Sequence, residues 1–417
     1  MSEAAIAELE GKCVCLVGSL PPPIGGVSTM CYNLSGLMAR RGITVHVVDT
    51  TVSDAGSKRI PDGVYLHLLQ SERWGIIRLF LFNPDMWLAF IRLGSLDQII
   101  KIGRLGYVLR IIAAIKRIDR TTPIDIIHSF HALDRSYAAL AAGHLIQKPV
   151  VVTTLVSEFT ATPIFAKYKS IIEAVIKRAS ALGAISNYTS RVAARMTDRS
   201  DIAILYPGVD VHRFNPGYDV SPIVERHPQL RCKQMLLFVG WLIARKGPAL
   251  ILEAMTRLAA FDDLHCLIIG PDHGEKANLM KMTQDLGLED RVTILDPVSE
   301  EDLPLYYAAA DIFVFPTVET TEGFGIVAAE AMACETAVVA SRIGAIPEVV
   351  EDGVTGFLFE PGNASQLAEK IGLLLSDQDL RQRMARRGRE RVMANFTWEH
   401  TLLAYAKVSV ECLKRWA

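Results

Sequence analysis

A strand–helix–strand pattern in the last third of the chain restricts its fold more than any other feature. Residues 311–316 contain four consecutive apolar residues before Pro316, and residues 336–340 form a second apolar run. Runs this short and continuously apolar are typical of strands buried on both faces of a parallel sheet. A helix is predicted between them, from Ile326 to Cys334, and such a crossover makes the two strands parallel.

The same pattern recurs along the rest of the chain. Apolar runs predict further strands at residues 14–18, 45–49, 124–128, 150–154, 181–185, 203–206 and 235–239. Helical segments such as residues 136–145 alternate with them, which indicates an α/β protein with parallel, doubly wound sheets. The chain has 417 residues, enough for two domains with separate cores.

A break between the two domains is predicted where proline interrupts regular structure. Ser221 and His227 each precede a proline, so we expect a linker within residues 217–233. The first domain would comprise residues 1–216 and the second residues 217–396. Residues 397–417 contain a last predicted helix.

Charge and hydropathy exclude several classes of protein. The net charge of −2 argues against a nucleic-acid-binding protein, which usually has a strongly basic domain. The first residues carry acid rather than base, unlike a cleaved secretory signal, and no apolar stretch approaches the roughly 20 residues that span a bilayer. The sequence therefore predicts a cytoplasmic protein.

Two glutamates lie on either side of the start of the predicted helix. Glu322 precedes a glycine-rich turn, and Glu330 lies inside the helix. Backbone amides in this turn can approach a diphosphate without hindrance from Cβ atoms, and the positive N-terminal end of the helix adds to the attraction. The turn residues are Gly323, Phe324 and Gly325.

The two carboxylates can then serve different parts of a sugar nucleotide. Glu330 can accept hydrogen bonds from two ribose hydroxyls, and Glu322 can meet the hydroxyls of a transferred sugar. In the alternative interpretation both are solvated or capping residues of an ordinary amphipathic helix. Their position after a buried parallel strand favours a ligand site, because open α/β sheets bind ligands there.

Further motifs accompany the glutamate pair in a fixed order. They lie at residues 238–240, 245–247, 267–271, 302–311, 346–348 and 353–358. Their order and spacing resemble those of family 4 glycosyltransferases, which are retaining, nucleotide-sugar-dependent enzymes of the GT-B fold. The resemblance covers nearly the whole chain. It implies two Rossmann-like domains that face a central cleft, with a C-terminal helix that crosses back to the first domain.

Lys246 is the best candidate for a cation at this site. It follows a predicted strand, and it could neutralise a diphosphate as the glycosidic bond breaks. The alternative is a surface lysine in a loop. The resemblance also assigns Gly240 and Ile326 to the donor site, and it puts Pro297 and Val298 near the nucleotide base.

Two positions depart from the family pattern. The family commonly has an arginine directly after the strand at residues 235–239 and its glycine, where this chain has Trp241, and an indole offers no charge to a pyrophosphate. Arg245 is the residue expected to reach the phosphate instead. The family also often has a histidine after residues 150–154, where this chain has Leu155. His131 is then the candidate for an acceptor role, although a lone histidine is more often structural.

Gly25 and Gly26 lie between the first predicted strand and the first long helix. This loop lacks the glycine triplet of a Rossmann dinucleotide fingerprint, so NAD binding is disfavoured. Two adjacent glycines would still allow close approach of a phosphate or sugar, and in the family such a loop faces the donor. The alternative is a tight turn without a ligand.

The region from residue 74 to residue 120 resembles the family least. Nine lysines and arginines face only three aspartates between residues 73 and 120, and aromatic residues lie among them. This mixture suits a surface that touches anionic lipid head groups. The alternative is a pair of ordinary amphipathic helices with solvated arginines. A surface that touches lipid head groups would imply that the acceptor is lipid-linked and that the protein is peripheral to the inner face of the membrane.

The resemblance implies a reaction and its participants. A hexose-type sugar would pass, with retention, from a UDP- or GDP-linked donor to a hydroxyl of a glycan or lipid-linked acceptor. The candidate catalytic residues are Glu322, Lys246, Arg245 and His131. No bound cofactor and no catalytic metal are expected, because the only Asp-x-Asp motif, Asp377 to Asp379, lies far from the other motifs.

Two other functions fit the same fold. The departures at Trp241 and Leu155 suit a degenerate GT-B protein that binds a nucleotide or a partner without transferring sugar. A sugar-nucleotide epimerase shares the fold but explains the two glutamates less well. Release of nucleotide diphosphate only in the presence of an acceptor would separate the transferase from both.

Overall fold

The chain folds into two compact units. The computed structural model describes residues 2–22, 25–51, 57–69, 83–160 and 162–416. The first unit comprises Met1–Gly208 together with Trp398–Ala417, and the second comprises Val209–Thr397. The first unit ends before the predicted boundary at residue 216, because the amide of Val209 donates to Phe396 and its backbone pairs with Thr397.

The first unit is built on a seven-stranded parallel sheet. Its strands are β1 (Cys13–Gly18), β2 (Thr44–Asp49), β3 (Val64–Leu68), β4 (Ile126–Phe130), β5 (Val150–Thr154), β6 (Ala181–Ala184) and β7 (Ile202–Ile204). They lie in the order β3-β2-β1-β4-β5-β6-β7. Strands β1, β4 and β5 are buried along their whole length, as expected when helices cover both faces of a sheet.

Amphipathic helices cover this sheet. The helix α5 (Leu105–Thr121) buries Val108, Ile111, Ile112, Ile115 and Ile118, and this spacing places them on one side of the helix. The described helices of the unit's first segment are α1 (Ser2–Leu9), α2 (Gly26–Arg40), α3 (Pro84–Leu93), α4 (Leu96–Lys101), α5 (Leu105–Thr121), α6 (Asp134–Ile146), α7 (Ser157–Thr160), α8 (Thr162–Arg178) and α9 (Asn187–Ala194).

The second unit is built on a six-stranded parallel sheet. Its strands are β8 (Gln234–Val239), β9 (Leu264–Ile269), β10 (Val292–Leu295), β11 (Ile312–Phe315), β12 (Ala337–Ser341) and β13 (Gly356–Phe359). They lie in the order β10-β9-β8-β11-β12-β13. The two apolar runs that open the sequence analysis are the neighbouring parallel strands β11 and β12.

The helices of the second unit include one that the sequence does not predict. They are α10 (Ser221–Arg226), α11 (Pro248–Arg257), α12 (Lys276–Asp285), α13 (Leu303–Ala309), α14 (Ile326–Ala333), α15 (Ile346–Val349), α16 (Ala364–Ser376) and α17 (Gln378–Asn395). The helix α10 lies inside the predicted linker. The prediction of an irregular segment there is wrong, because a proline in the first turn of a helix replaces an amide that has no partner in any case.

The last helix, α18 (Trp398–Trp416), packs within the first unit. The hydroxyl of its buried Tyr405 lies 2.9 Å from the hydroxyl of Thr153 in β5. Ser409 lies 2.9 Å from Nε2 of His128, so that buried histidine is a structural residue. Burial lowers the pKa of His128 to about 3, which keeps its ring neutral.

Both sheets are parallel and doubly wound, which confirms the predicted fold class. In each sheet the chain order reverses at one place, between β1 and β4 in the first unit and between β8 and β11 in the second. Ligands of such sheets bind beyond the carboxyl ends of the strands at this reversal. The loops after β1, β4, β8 and β11 are therefore the places to examine for a site.

Candidate functional site

Lys246 and Glu322 form an ion pair at the reversal of the second sheet. Lys246 ends a short 3₁₀ turn after β8, and Glu322 lies in the loop after β11. Nζ of Lys246 donates to Oε2 of Glu322, and each side chain keeps 15% exposure. A pair that solvent can reach can exchange partners, so a phosphate could take the ammonium group while sugar hydroxyls take the carboxylate.

The loop that carries this lysine is tied to the neighbouring loop by its backbone. The carbonyl of Arg245 accepts hydrogen bonds from the amide of Val318 and the hydroxyl of Thr317, both at 2.9 Å. Gly247 has a φ of 68°, and a Cβ atom there would lie 2.1 Å from the carbonyl oxygen of Pro316. Only glycine fits such a position, so the turn after the lysine is fixed by close packing.

The loop that carries Glu322 is fixed in the same manner. Its carbonyl accepts a hydrogen bond from the amide of Ala345 at 3.1 Å. Gly344 has a φ of 58°, and a Cβ atom there would lie 2.5 Å from the carbonyl oxygen of Glu322. The guanidinium of Arg245 donates to the hydroxyl of Thr321 at 3.2 Å, so this second predicted cation also reaches the loop after β11.

The glycine-rich turn leads directly into the helix α14. Gly325 is its N-cap with a φ of 91°, and no side chain caps the amides of the first turn. Phe324 is buried and packs edge-on against Phe396 at 5.4 Å between ring centres, which anchors the turn. The amides of Ile326 and its neighbours lie at a helix N-terminus, where an anion is stabilised. Gly323 is buried beside them.

Glu330 lies one turn into α14, where it contacts Tyr307 and experiences the charge of Arg213, two residues that the sequence analysis did not single out. The hydroxyl of Tyr307 donates to Oε2 of Glu330 at 3.1 Å. Burial raises the pKa of the Glu330 carboxyl to about 7, while the bond from Tyr307 and the charge of Arg213 act in the opposite direction. The carboxyl therefore changes its charge near neutral pH.

Tyr307 could have been found from the sequence only as part of the motif at residues 302–311. Within that motif it looks like any core aromatic residue, and its position beside Glu330 depends on the packing of α13 against α14. Arg213 precedes the second sheet by many residues, and its guanidinium donates to the carbonyl of Glu300. No local pattern indicates that contact.

The remaining donor-site candidates of the second unit lie at the ends of neighbouring strands. Gly240 follows β8, and a Cβ atom on Gly270 would lie 1.7 Å from its carbonyl oxygen, so the ends of β8 and β9 pack tightly. Pro297 and Val298 follow β10, which lies two strands from β8. The second sheet thus brings the predicted residues other than Gly25, Gly26 and His131 to its carboxyl edge.

Trp241, the first departure from the family pattern, projects from the same edge. It directly follows Gly240, and its side chain is 46% exposed. Its indole stacks on the imidazole of His273, with 4.5 Å between the ring centres and 26° between the ring planes.

The two adjacent glycines belong to the first unit. Gly25 caps the helix α2 in an extended conformation, and its carbonyl accepts hydrogen bonds from Ser28 Oγ and the amide of Thr29. Cβ atoms on Gly25 and Gly26 would meet nothing within 4 Å among the described residues. Packing among the described residues therefore does not require glycine at either position.

A buried ion pair holds the loop before these glycines. Nζ of Lys58 lies 3.1 Å from Oδ2 of Asp49, and both side chains are fully buried. The same Nζ donates to the carbonyls of Leu20 at 2.8 Å and Pro22 at 2.5 Å and to the hydroxyl of Thr51 at 2.8 Å. This lysine is saturated by the chain itself and has a structural role.

His131 follows β4 at the reversal of the first sheet and has a φ of 69°, which is unusual for a residue other than glycine. Its Nε2 lies 3.1 Å from the hydroxyl of Ser157 and 3.7 Å from the carboxyl of Glu158. Burial lowers the pKa of His131 to about 3 and raises that of Glu158 to about 8. Both groups are therefore neutral at neutral pH.

Glu158 was not predicted as a site residue. One of its oxygens accepts hydrogen bonds from the amides of Leu155 at 2.8 Å and Ala132 at 3.3 Å, and thus links the loops after β5 and β4. Leu155 occupies the place of the absent family histidine. The sequence contained no signal for this link, because it joins loops that are distant in the chain.

Other predicted features have simpler explanations. Asp377 caps α17 by accepting a hydrogen bond from the amide of Leu380 at 2.8 Å.

Among the described residues, no group of three or more His, Cys, Asp or Glu side chains could hold a metal ion. In that same part of the chain, every helix is too short or too polar to cross a bilayer.

The basic and aromatic region falls partly outside the described residues. Residues 74–82, which include Trp74, Phe80 and Phe82, are among those not described. From residue 83 to residue 120 the chain forms α3, α4 and most of α5, and buried apolar residues on each pack into the core of the first unit.

Comparison with known protein families gives two matches along the chain. The model for "Glycosyltransferase Family 4" matches residues 24–213, and the model for "Glycosyl transferases group 1" matches residues 224–391. Each model falls on one of the two units, apart from a few residues at the boundary.

Individual relatives point to the same family. A D-inositol 3-phosphate glycosyltransferase of Mycolicibacterium smegmatis is 35% identical over 216 residues, which is 51% of this chain and 48% of the relative. Its counterpart in Salinispora tropica is 30% identical over 299 residues, 67% of this chain and 57% of the relative. The chain thus spans about half the length of the curated relatives it matches.

Solved structures show the same fold at lower identity. The Anabaena protein HepE, solved in complex with UDP and glucose, has a TM-score of 0.75 at 19% identity, covering 96% of this chain and 100% of HepE. A glycosyltransferase from Rickettsia africae has a TM-score of 0.75 at 19% identity, covering 97% of this chain and 99% of the other. The solved structures show the GT-B fold, and the two family models confirm the suspected family: the chain belongs to the family 4, group 1 glycosyltransferases.

Proposed function

We propose that the protein transfers a hexose from a nucleotide diphosphate sugar to an acceptor hydroxyl, with retention at the anomeric carbon. The Lys246–Glu322 pair, which solvent can still reach at the reversal of the second sheet, supports this proposal most directly. It offers one cation for a diphosphate and one carboxylate for a polyol, in loops that glycines hold in place.

The proposed donor has a nucleotide carrying a ribose. Glu330 accepts a hydrogen bond from Tyr307 and keeps partial exposure, so its carboxylate is available to ribose hydroxyls. The UDP in the solved HepE complex makes UDP-linked sugars the first donors to test and GDP-linked sugars the second. We propose no bound cofactor and no metal, because Lys246 and Arg245 supply positive charge beside the helix N-terminus.

The proposed mechanism follows from these groups. The bond between the anomeric carbon and the phosphate oxygen breaks, and its electron pair leaves with the nucleotide diphosphate. Lys246 neutralises that charge most strongly in the transition state, when it is largest. The acceptor hydroxyl attacks from the face that the phosphate leaves, and its proton passes to the departing phosphate oxygen.

The proposed acceptor is a glycan or a lipid-linked molecule that presents a hydroxyl. His131 is the candidate acceptor-side residue, and its neutral ring can accept or donate one hydrogen bond. The printed names of the curated relatives add a phosphorylated cyclitol, inositol phosphate, to the acceptors worth testing.

The proposal includes contact with the inner face of the membrane. The helices α3, α4 and α8 expose a group of apolar side chains, namely Trp87, Leu88, Ile91, Ile100 and Ile164. Hydrogen bonds from Ser95 to Ser170 and from Gln98 to Lys167 join α8 to the start of α4. Exposed basic residues lie on the same three helices, at Arg92, Lys101, Lys167 and Lys169. Such a surface suits an anionic bilayer.

Nucleotide release tests the enzymatic part of the proposal. Purified protein is incubated with UDP-glucose or GDP-mannose, with and without acceptors, and the anomeric configuration of any product is read by NMR. Acceptor-dependent release of nucleotide diphosphate with a retained configuration supports the proposal. Nucleotide binding without release in any arm would instead favour the degenerate alternative, which Trp241 motivates.

Vesicle sedimentation tests the membrane part. We expect binding to vesicles rich in phosphatidylglycerol and weaker binding to phosphatidylcholine alone. Ile91→Glu on the exposed side of α3 should reduce binding, whereas Leu373→Glu, at an exposed leucine of the second unit, should not. Equal binding by both variants would contradict this part of the proposal.

A further inference from the structure

Trp241 is exposed at the carboxyl edge of the second sheet, where its aromatic ring is only partly buried. Leu242, the next residue, is fully buried, whereas the indole is 46% exposed. Leaving nearly half of a large aromatic residue in water forgoes part of the free energy of burial, roughly 25 cal/mol per Å² of apolar surface. An exposed ring at a ligand-binding edge is therefore a candidate for contact with a ligand.

The ring is also held in a defined orientation. One face of the indole is covered by His273, with 4.5 Å between the ring centres. The backbone of Leu242 donates to Pro271 at 2.9 Å and accepts from His273 at 3.0 Å, so the turn that carries the indole is tied to the loop that carries the imidazole.

The loop under the imidazole is itself braced. Oδ1 of Asp272 accepts hydrogen bonds from the amides of Gly274, Glu275 and Lys276 at 2.8, 3.1 and 3.1 Å. The two rings thus form a preformed stack, which lowers the conformational cost of binding.

We propose that Trp241 and His273 form a stacking platform for the apolar C–H face of a hexose ring. This inference rests on the proposed function. Trp241 lies in the same loop as Lys246, which runs from Gly240 to Gly247, so we expect a hexose on its ring to lie near the Lys246–Glu322 pair. Hydroxyl groups around the edge of the ring would then remain free to contact polar groups. An apolar surface with a few polar groups beside it is the usual composition of a small-molecule site.

The position of Trp241 after β8 favours a hexose over a nucleobase as its ligand. The base is expected near Pro297 and Val298 after β10, which is separated from β8 by β9. Two strand spacings correspond to about 10 Å. The hexose could be the transferred sugar of the donor or a sugar of the acceptor, and the experiment has an arm for each.

Calorimetric titration of wild type and Trp241→Ala separates these sources. Nucleotide diphosphate alone should bind both with dissociation constants within about twofold. If the platform holds the donor's sugar, the sugar nucleotide should bind Trp241→Ala about tenfold more weakly, which corresponds to about 1.4 kcal/mol. If it holds an acceptor sugar, the acceptor's KM should rise instead. Trp241→Phe should restore part of either loss.

A matched control and an independent readout complete the test. Trp416→Ala, at an exposed tryptophan of the first unit, should change none of these values. The indole N–H signal of Trp241 in an NMR spectrum, assigned by its loss in Trp241→Phe, should move on titration with methyl hexosides.

The outcomes distinguish this platform from the proposed function. Unchanged sugar-nucleotide affinity and acceptor KM in Trp241→Ala, together with an indole signal that hexosides do not move, overturn the platform even if nucleotide binds. A moving indole signal in a protein that binds no nucleotide diphosphate supports the platform and overturns the proposed transfer. An indole signal that hexosides do not move, in a protein that also binds no nucleotide diphosphate, overturns both the platform and the proposed transfer.

Discussion

Each unit carries a lysine–carboxylate pair near the carboxyl edge of its sheet, and the two pairs differ in what surrounds them. Lys58 and Asp49 of the first unit are fully buried, and Lys58 has three further acceptors from the chain. Lys246 and Glu322 of the second unit keep 15% exposure each. The same two functional groups therefore serve structure in one unit and remain available to a ligand in the other.

The neighbouring charges extend this contrast. Near the edge of the first sheet, burial lowers the pKa of His131 and raises that of Glu158. Both side chains are therefore neutral at neutral pH. At the edge of the second sheet, Lys246 and Arg245 lie beside a helix N-terminus. A neutral edge suits the hydroxyls of an acceptor, and a cationic edge suits a diphosphate.

The largest expected effect concerns the buried pair. Lys58→Met leaves the Asp49 carboxylate without its cation, and breaking a buried pair typically costs roughly 3–5 kcal/mol. Urea unfolding, followed by hydrogen exchange of peptides from the first unit, measures this loss. Lys12→Met is the matched control, because Lys12 pairs with Asp125 at 3.8 Å while 46% exposed. Equal losses in the two variants would show that Lys58 is not the structural lysine of the comparison.

The second effect should appear in catalysis rather than in stability. Lys246→Met removes the cation proposed to neutralise the departing diphosphate, and we expect a rate of sugar transfer lower by about 10²–10³-fold. Unfolding of the second unit should change less than Lys58→Met changes unfolding of the first. Lys281→Met, at an exposed lysine paired with Asp285, is the control and should transfer sugar normally. A Lys246→Met protein of normal activity would contradict the contrast.

The third effect is a pH dependence confined to the second unit. Because the pKa of Glu330 is raised to about 7, the carboxyl group proposed to bind ribose hydroxyls is mostly protonated at pH 6 and mostly ionised at pH 8. Affinity for nucleotide diphosphate should rise about tenfold over that interval. The same measurement on Glu330→Gln gives the pH dependence that comes from the nucleotide itself, and this is subtracted from the wild-type profile.

Tyr307→Phe sharpens the same measurement. The hydrogen bond from Tyr307 lowers the pKa of Glu330, so its loss should move the rise in affinity to higher pH. A pH profile that is identical in wild type and Glu330→Gln would show that this carboxyl does not contact the nucleotide.

The smallest effect compares one buried tyrosine in each unit. Tyr405 bonds to Thr153 in the first unit, and Tyr306 bonds to His227 at 2.9 Å in the second. Tyr405→Phe removes the bond to Thr153 and a weaker one to the sulfur of Met30, and Tyr306→Phe removes the bond to His227. Each change should cost about 1 kcal/mol in the free energy of unfolding. Hydrogen exchange should localise each loss to its own unit. Faster exchange in both units from either change would contradict the division at Gly208 and Trp398.

The fold was predictable from the sequence because its evidence is local. Continuous apolar strands such as residues 311–316 alternate with helices, and that alternation determines the fold class without knowledge of distant contacts. The position of the boundary was not predictable, because Val209 is fixed by pairing with Thr397 far along the chain. The short helix Ser221–Arg226 is not predictable from its proline, because proline both interrupts regular structure and occurs in the first turn of helices.

The candidate site was predictable only where its residues follow one another along the chain. Glu322, Gly325 and Glu330 share one strand–loop–helix segment, so their proximity follows from the sequence. Tyr307 beside Glu330 and Glu158 beside His131 depend on the packing of separate loops and helices. The roles assigned to these residues stay predictions until the variants above are measured.

The bridge between Val209 and Thr397 has a consequence for the gene that encodes the protein. The chain leaves the first unit at Gly208 and re-enters it at Trp398, and a Cβ atom on Gly208 would lie 2.6 Å from the backbone of Trp398. The second unit is thus a cassette whose two ends meet at one place. Recombination between relatives can therefore exchange the second unit through two junctions that lie close together, and the first unit keeps its original sequence.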